Sequence, residues 1–380
     1  MSVRRLGRLS FRIGVWATAV GYLLTPVDAR AQVGTDPLTL TAAIQSALEN
    51  YPAIKERHAR ARAAEEGIAV ARTAYLPRVD SVWQVNRATT NNVFGLLLPQ
   101  SIIPSISGPV LATRSYDSVW GSAAGVLVSW DAVDFGQRKA NVDVARAQKS
   151  AAAAQTALTA LDVASAAADA FLTVLASDEA VGAARANVDR LQVLATSVRT
   201  LVANQLRPGA DESRADAELA IARNQLVQAV QTADLARAAL ADATGLAGRD
   251  IEPSTAGLAR LPDVARPTPI DLASHPAAKA QTAVVESVQA RARALERAYV
   301  PHLTLQSAFA ERGSGAEVPG QSLLGNGLSL RVPNWAVGIS ATFPAFDVFA
   351  INARKRVERQ NELAENARYE QTIQTLTTQN

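Results

Sequence analysis

The chain repeats itself. Asn50-Tyr51-Pro52-Ala53-Ile54-Lys55 is answered by Ser274-His275-Pro276-Ala277-Ala278-Lys279, and Ala74-Tyr75-Leu76-Pro77-Arg78-Val79 by Ala298-Tyr299-Val300-Pro301-His302-Leu303. The two prolines lie 25 residues apart in both copies. Spacing and flanking residues recur together, so the fold is built from two related units. Each copy continues in the same order. An Ala/Arg/Glu-rich helical stretch runs up to the second proline, two segments of alternating polarity follow, and a helix then restarts. Ser129-Trp130-Asp131-Ala132-Val133-Asp134 in the first copy corresponds to Phe343-Pro344-Ala345-Phe346-Asp347 in the second.

The alternating segments read as strands, because a period of two places successive side chains on opposite faces. Val79, Ser81, Trp83 and Val85 alternate with Asp80, Gln84 and Asn86. From about Tyr116 to Trp130, the residues Trp120, Ala124, Val126, Val128 and Trp130 share one face, and Gly121, Ala123, Gly125 and Ser129 the other. In the second copy Leu303, Leu305, Ser307 and Phe309 alternate with Thr304, Gln306 and Ala308, and Trp335, Val337, Ile339, Ala341 and Phe343 form the last alternating run. A Pro/Gly-containing loop joins each pair, over 87–114 and 312–327, and the apolar content of the first implies that it packs on something.

From Gln137 to about Asn204 there is no proline, and only Gly182 interrupts an alanine-dominated run. One helix of that length reaches roughly 100 Å, which indicates a coiled coil or helical barrel rather than a globular core. Arg207-Pro208-Gly209-Ala210-Asp211 breaks it, and a second helix resumes to about Thr244, ended by Gly245 and Gly248. The two form an antiparallel hairpin. The prolines of 249–269 mark a linker. The expected divisions are a leader at 1–31, a first repeat at 32–248, this linker, and a second repeat at 270–380. In that second repeat the helix that answers Gln137 onward stops at Asn380, so that on the order of 80 residues of a matching hairpin are missing.

The N-terminus carries Arg4, Arg5, Arg8 and Arg12, an apolar run from Ile13 to Leu24, and Ala29-Arg30-Ala31, the pattern of an export signal cleaved before Gln32. No later segment is expected to have the length and apolarity of a membrane-spanning helix, so any crossing must use strands. The chain has no cysteine, which excludes disulfides and thiolate chemistry. His58, His275 and His302 are too dispersed for a local metal motif, with His275 placed at a helix start. No basic block points to nucleic acid. No phosphate loop or nucleophile elbow appears, and Glu65, Glu66, Asp211, Glu212, Asp216 and Glu218 read as solvated helix carboxylates.

The ordered set of Leu38-Thr39-Leu40, Ala43-Ile44, Ala47-Leu48, Asn50-Tyr51-Pro52 and the two Ala-Tyr-x-Pro joints, with Trp130 to Gly136, resembles the outer-membrane efflux protein family, the TolC-like outer membrane factors. The chain departs from the family pattern where a paired glycine is reduced to Gly136 and where Asp347-Val348-Phe349 has none. The resemblance implies a mainly α fold with membrane β-strands. Long antiparallel helical hairpins would form an α-barrel, and four strands per chain would enter a β-barrel shared by a homotrimer. It implies a passive outer-membrane duct that reaches into the periplasm, without enzymatic activity or cofactor. The duct would serve a tripartite efflux or type I secretion system with a periplasmic adaptor (membrane fusion) protein and an inner-membrane transporter. It assigns Leu206, Arg207, Pro208, Gly209 and Asp211 to adaptor contact at the hairpin tip. Trp83, Tyr116, Trp120, Trp130 and Trp335 become candidates for interfacial aromatics against outer-membrane lipid. The alternative is a periplasmic structural or adaptor protein that uses the long hairpin without forming a channel.

Overall fold

Helix α1 (Leu40–Asn50) begins where the Thr39 hydroxyl accepts the Ala42 N–H at 3.2 Å, the usual way of satisfying an orphan donor of the first turn. Tyr51 is extended, as the residue before a proline must be, and Pro52 then opens α2 (Pro52–Thr73) at a position that needs no N–H. Strands β1 (Arg78–Thr89) and β2 (Ser118–Val133) lead to α3 (Gln137–Ala203) and α4 (Gly209–Ala243). After a short 3-10 turn at Leu272–Ser274, the pattern repeats as α5 (Pro276–Arg297), β3 (His302–Ser314), β4 (Val332–Thr342) and α6 (Val348–Gln379). His275 caps α5, its Nδ1 accepting the Ala277 N–H at 3.2 Å.

The computed structural model describes residues 38–89, 116, 118–249, 251–254, 271–315, 327–344 and 346–379. The export signal expected at 1–31, the body of both strand-connecting loops and most of the proline-rich linker lie outside them. The strands are longer than the alternation alone delimits. β1 takes in Arg87 to Thr89, β2 runs on to Val133, and β3 extends through Ser314, because backbone pairing continues where side-chain alternation fades.

The four strands form one antiparallel sheet in the order β1-β2-β3-β4. Its two hairpins are joined through β2 and β3, which pair from Gly121↔Ser314 to Val133↔Leu303 with a register shift at Asp131/Val133. The outer edges of β1 and β4 have no partner strand among the described residues.

Helix α3 organises the helical part: α1, α2, α4 and α5 all pack on it, and α6 packs on α5. The buried residues are mostly alanine, arranged as a seam in three clusters along α3. Ala47, Ile54, Val163 and Ala167 meet at one level. Ala43, Phe171, Val174, Leu240 and Ile251 meet at the next, and Ala195, Val198, Ala215 and Leu219 near the tip. Small side chains let the helix axes approach closely, so long helices are held with little large apolar volume. α3 does contain an 18-residue stretch of mean hydropathy 1.6, apolar enough by composition to cross a bilayer. This corrects the expectation that no such segment follows the leader. The cause is alanine, which scores as apolar and here lines the seam with neighbouring helices.

The start of the linker is also part of the core. Ile251 is buried against Ala43 and Phe171, and Leu38 bridges to Pro253. Gly245, at φ +70, ends α4 where a side chain would collide with Asn50 and Tyr51, so the turn needs glycine. The Leu246 N–H returns to the Ala241 carbonyl and the Gly245 N–H to Asp242, a Schellman closure.

Candidate functional site

The register sorts the sheet into two faces. One carries Val79, Trp83, Val126, Trp130, Leu305, Phe309, Trp335, Val337 and Ile339, paired as Val126↔Phe309, Phe309↔Trp335, Trp130↔Leu305 and Leu305↔Ile339. These side chains are exposed, Trp83 and Trp335 both at 77%. The opposite face carries Asp80, Gln84, Asn86, Ser129, Thr304, Gln306 and Asn334, together with two small apolar clusters, Val82 with Ala123 and Ala310, and Leu127 with Ala308 and Ala336. Several of its members are buried, Leu127 and Gln306 at 1%. A soluble sheet buries its apolar face and shows its polar one. Here the polarity is inverted, and an exposed apolar patch of this extent marks a surface that meets lipid or another chain.

The aromatics on the outward face fall towards two ends. Trp130 lies at the end where the helices join. Trp335 lies on the outward row of β4, eight residues before Phe343, which stands just past the end of that strand. Trp83 pairs with Ala124, in the row of Glu311. Trp120 is further out, with the Arg87 guanidinium 5.5 Å from its ring centroid. Tyr116 is fully exposed just before β2. The charged groups of this face, Arg87 and Glu311, are thus confined to the end away from the helices.

At the helix end the two joints of each repeat converge. The Trp130 Nε1 donates to the Tyr75 carbonyl at 3.0 Å. Arg138, its side chain only 12% exposed, stands 4.9 Å from the Tyr75 ring centroid and 3.1 Å from the Asp134 carboxylate. It also donates to the carbonyls of Ala74 and Ala132, each at 3.4 Å. Burial of Asp134 opposes its ionisation. The Arg138 backbone N–H, the Arg138 side chain, the Gly136 N–H and the Arg138 charge outweigh that, and hold the carboxyl below the usual carboxylate range. Phe135 and Gly136 both have positive φ, which turns the chain from β2 into α3. In the second copy Tyr299 and Phe343 meet edge to face with centroids 5.7 Å apart. In the sequence, Tyr75 and Tyr299 stand out only as joint residues and Phe343 only as a strand end. The repeat was the signal that could have marked them, since Tyr299 stands where Tyr75 does and Phe343 where Trp130 does.

At the other extreme, α3 ends through Gln205, a non-glycine residue at φ 56. The Leu206 N–H donates to the Leu201 carbonyl at 2.9 Å and the Gln205 N–H to Val202 at 2.9 Å, which closes the helix. Pro208 then stands at the N-cap position of α4, its carbonyl accepting the Asp211 N–H at 3.1 Å. Leu206 is 72% exposed, and Arg207 pairs with Asp211 at 3.4 Å across the turn. All five residues expected at the tip therefore sit together on one exposed turn. Below it, Arg199–Asp216 at 2.6 Å and Arg223–Gln192 at 2.6 Å cross the hairpin. Further down, Arg237–Asp178 crosses at 2.5 Å in the same antiparallel register. Among the described residues, no group of three or more His, Asp or Glu side chains could hold a metal.

The sequence pattern described as "Outer membrane efflux protein" matches residues 43–246, more than half of the chain. The chain belongs to the outer membrane efflux protein family. Comparison with curated protein sequences finds no match. Solved structures of the same architecture include CusC, at TM-score 0.70 and 14% identity, covering 90% of this chain and 73% of that one. The outer membrane channel CmeC of Campylobacter jejuni aligns at TM-score 0.64 and 15% identity, over 88% of this chain and 68% of that one. The outer membrane channel MtrE of Neisseria gonorrhoeae, in its open state, aligns at TM-score 0.64 and 19% identity, over 89% and 71%.

As an outer membrane efflux protein, the chain carries its inverted sheet and its helical hairpin on one molecule. The mainly helical fold with four antiparallel strands is that of the solved channels.

Proposed function

We propose that this outer membrane efflux protein is the passive exit duct of a tripartite efflux or type I secretion system. Three copies would each give four strands to one β-barrel, and their helices would line a periplasmic tunnel. The natural units of this duct are a first repeat at 32–248, a linker at 249–269 and a second repeat at 270–380. The observation that carries the reading is the sheet. It has one exposed apolar face and, among the described residues, two edges without a partner strand. Such edges are not tolerated in lipid, and four strands cannot close on themselves. Pairing β4 of one copy with β1 of the next removes every edge.

The aromatic spacing supports an orientation. Trp335 on β4 and Phe343 just past its end are eight residues apart, about 26 Å of extended chain. Trp130 and Trp120 are ten apart, about 33 Å. At a strand tilt near 40°, these separations become roughly 20 and 25 Å of height, close to the apolar band of a barrel. Trp83, Trp335 and Trp120 with Tyr116 would lie toward the far interface, and Trp130 with Tyr75, Tyr299 and Phe343 would mark the periplasmic one. Leu206, Arg207, Pro208, Gly209 and Asp211 would then meet the periplasmic adaptor, with the inner-membrane transporter beyond it. The exposed apolar face weighs against an adaptor without a channel.

The test is membrane fractionation followed by unheated gel electrophoresis. A trimer in the outer-membrane fraction that collapses to monomer on boiling is expected. A soluble monomer would overturn the reading. For the tip, Arg207→Glu should reduce export while leaving the trimer intact.

A further inference from the structure

The two ends of the helical part differ in how their charges are used. At the tip, every charged side chain near the turn is paired: Arg199 with Glu212 and Asp216, Arg207 with Asp211, and Arg214 with Glu218. At the sheet end, acids are engaged by local partners, Asp134 by Arg138, Asp143 by Arg146 and Glu358 by Arg291. Yet Arg72, Lys139, Arg293, Arg297, Arg354 and Arg356 all lie exposed within nine residues of the strand-facing ends of α2, α3, α5 and α6. None has an ion-pair partner among the described residues. Among the described residues, the unpaired acids at the same level of these helices are Glu66, Glu296 and Asp347, so the collar keeps a positive excess. At 1.5 Å per residue, these cations stand within about 14 Å of the helix ends. That is close enough for long side chains to extend into the headgroup layer.

The second observation fixes what lies at that level. Trp130 lies on the outward face at the sheet base, its indole N–H bound to the Tyr75 carbonyl, and the Tyr299–Phe343 ring pair lies at the same joint of the second copy, as at a boundary between hydrocarbon and headgroups. A cationic collar just on the water side of such a belt faces phosphate.

We propose that this collar binds the anionic phospholipid headgroups of the membrane leaflet nearest the helices. It would hold the duct at a fixed depth. The proposal rests on the duct reading, because only a sheet inserted in a bilayer brings headgroups to the collar. Screening by salt would weaken the attraction, since the cations are solvent-exposed.

The purified full chain should be reconstituted in nanodiscs of mixed phosphatidylglycerol and phosphatidylcholine, released, and its retained lipids counted by native mass spectrometry. The wild type should retain phosphatidylglycerol over phosphatidylcholine by about tenfold, a preference that fades in high salt. The combined variant Lys139→Gln, Arg293→Gln, Arg297→Gln and Arg354→Gln should lose most of it. Arg185→Gln with Arg190→Gln, mid-hairpin on α3, should keep it. Equal retention of the two lipids by the wild type, or an undiminished preference in the collar variant, would overturn the proposal and leave the duct reading standing. Failure of the wild type to enter the bilayer would overturn both.

Discussion

At the first strand-to-helix joint, Arg138 is held between the Asp134 carboxylate and the Tyr75 ring. At the second joint, Ile351 occupies the corresponding place and is buried, while Tyr299 meets Phe343 edge to face. The chain turns out of β2 through Gly136 at φ 97, but the matching position in the second copy is Phe349, inside α6. The geometry is kept: a helix leaves the sheet beside an aromatic contact in both copies. The chemistry is not kept. The first joint depends on a partly buried ion pair and a left-handed turn, the second on the Tyr299–Phe343 contact and the buried Ile351. Duplicated units therefore preserve where the backbone goes more faithfully than what holds it there.

That contrast can be broken at several points. The largest effect is expected from Asp134→Ala, which leaves the Arg138 guanidinium with little solvent and without its carboxylate. It should cost about 2–4 kcal/mol of trimer stability, read as a lower melting temperature in detergent. Asp347→Ala should cost less than about 0.5 kcal/mol, as for an ordinary surface change. Acid gives the same asymmetry. The Asp134 carboxyl is depressed below its ordinary value. Its contribution is therefore present above about pH 4, the unfolded value, and is lost as pH falls through the lower folded value. Asp134→Ala should remove that part of the acid sensitivity, and unchanged acid sensitivity would contradict the account. Gly136→Ala should cost about 1–2 kcal/mol, because an L side chain resists that left-handed backbone. Phe343→Leu should cost about 0.5–1.5 kcal/mol beyond lost area, the usual worth of an aromatic pair. Phe349→Ala, at an exposed position, should be smallest, within about 0.5 kcal/mol. Equal effects at the two joints would erase the distinction.

Much of this fold was legible in the residues. The period of two from Val79 to Val85 and from Trp335 to Phe343 marked the strands and the shared outward face. The proline-free alanine run marked α3, and Arg207-Pro208-Gly209 marked the tip. Two things were not legible. Pairing of β2 with β3 joins residues such as Val126 and Phe309, and no local pattern encodes so distant a register. The level of an aromatic along the membrane normal follows from that register, so Trp83, Trp120, Trp130 and Trp335 could be assigned to interfaces but not to ends. Ile251 shows the other limit. It sits among prolines that read as a linker, yet it completes the core around Phe171, because burial depends on what folds over a residue rather than on its neighbours in sequence.

Because the chain has no cysteine, single cysteines can report which face of the sheet meets lipid. Val337→Cys lies on the outward face and Asn334→Cys on the opposite one. In intact outer membranes, a water-soluble maleimide should label Asn334→Cys readily and leave Val337→Cys nearly untouched, while a lipid-borne quencher should reach a dye at 337 and not at 334. Rapid aqueous labelling of Val337→Cys, with Asn334→Cys protected, would contradict the account.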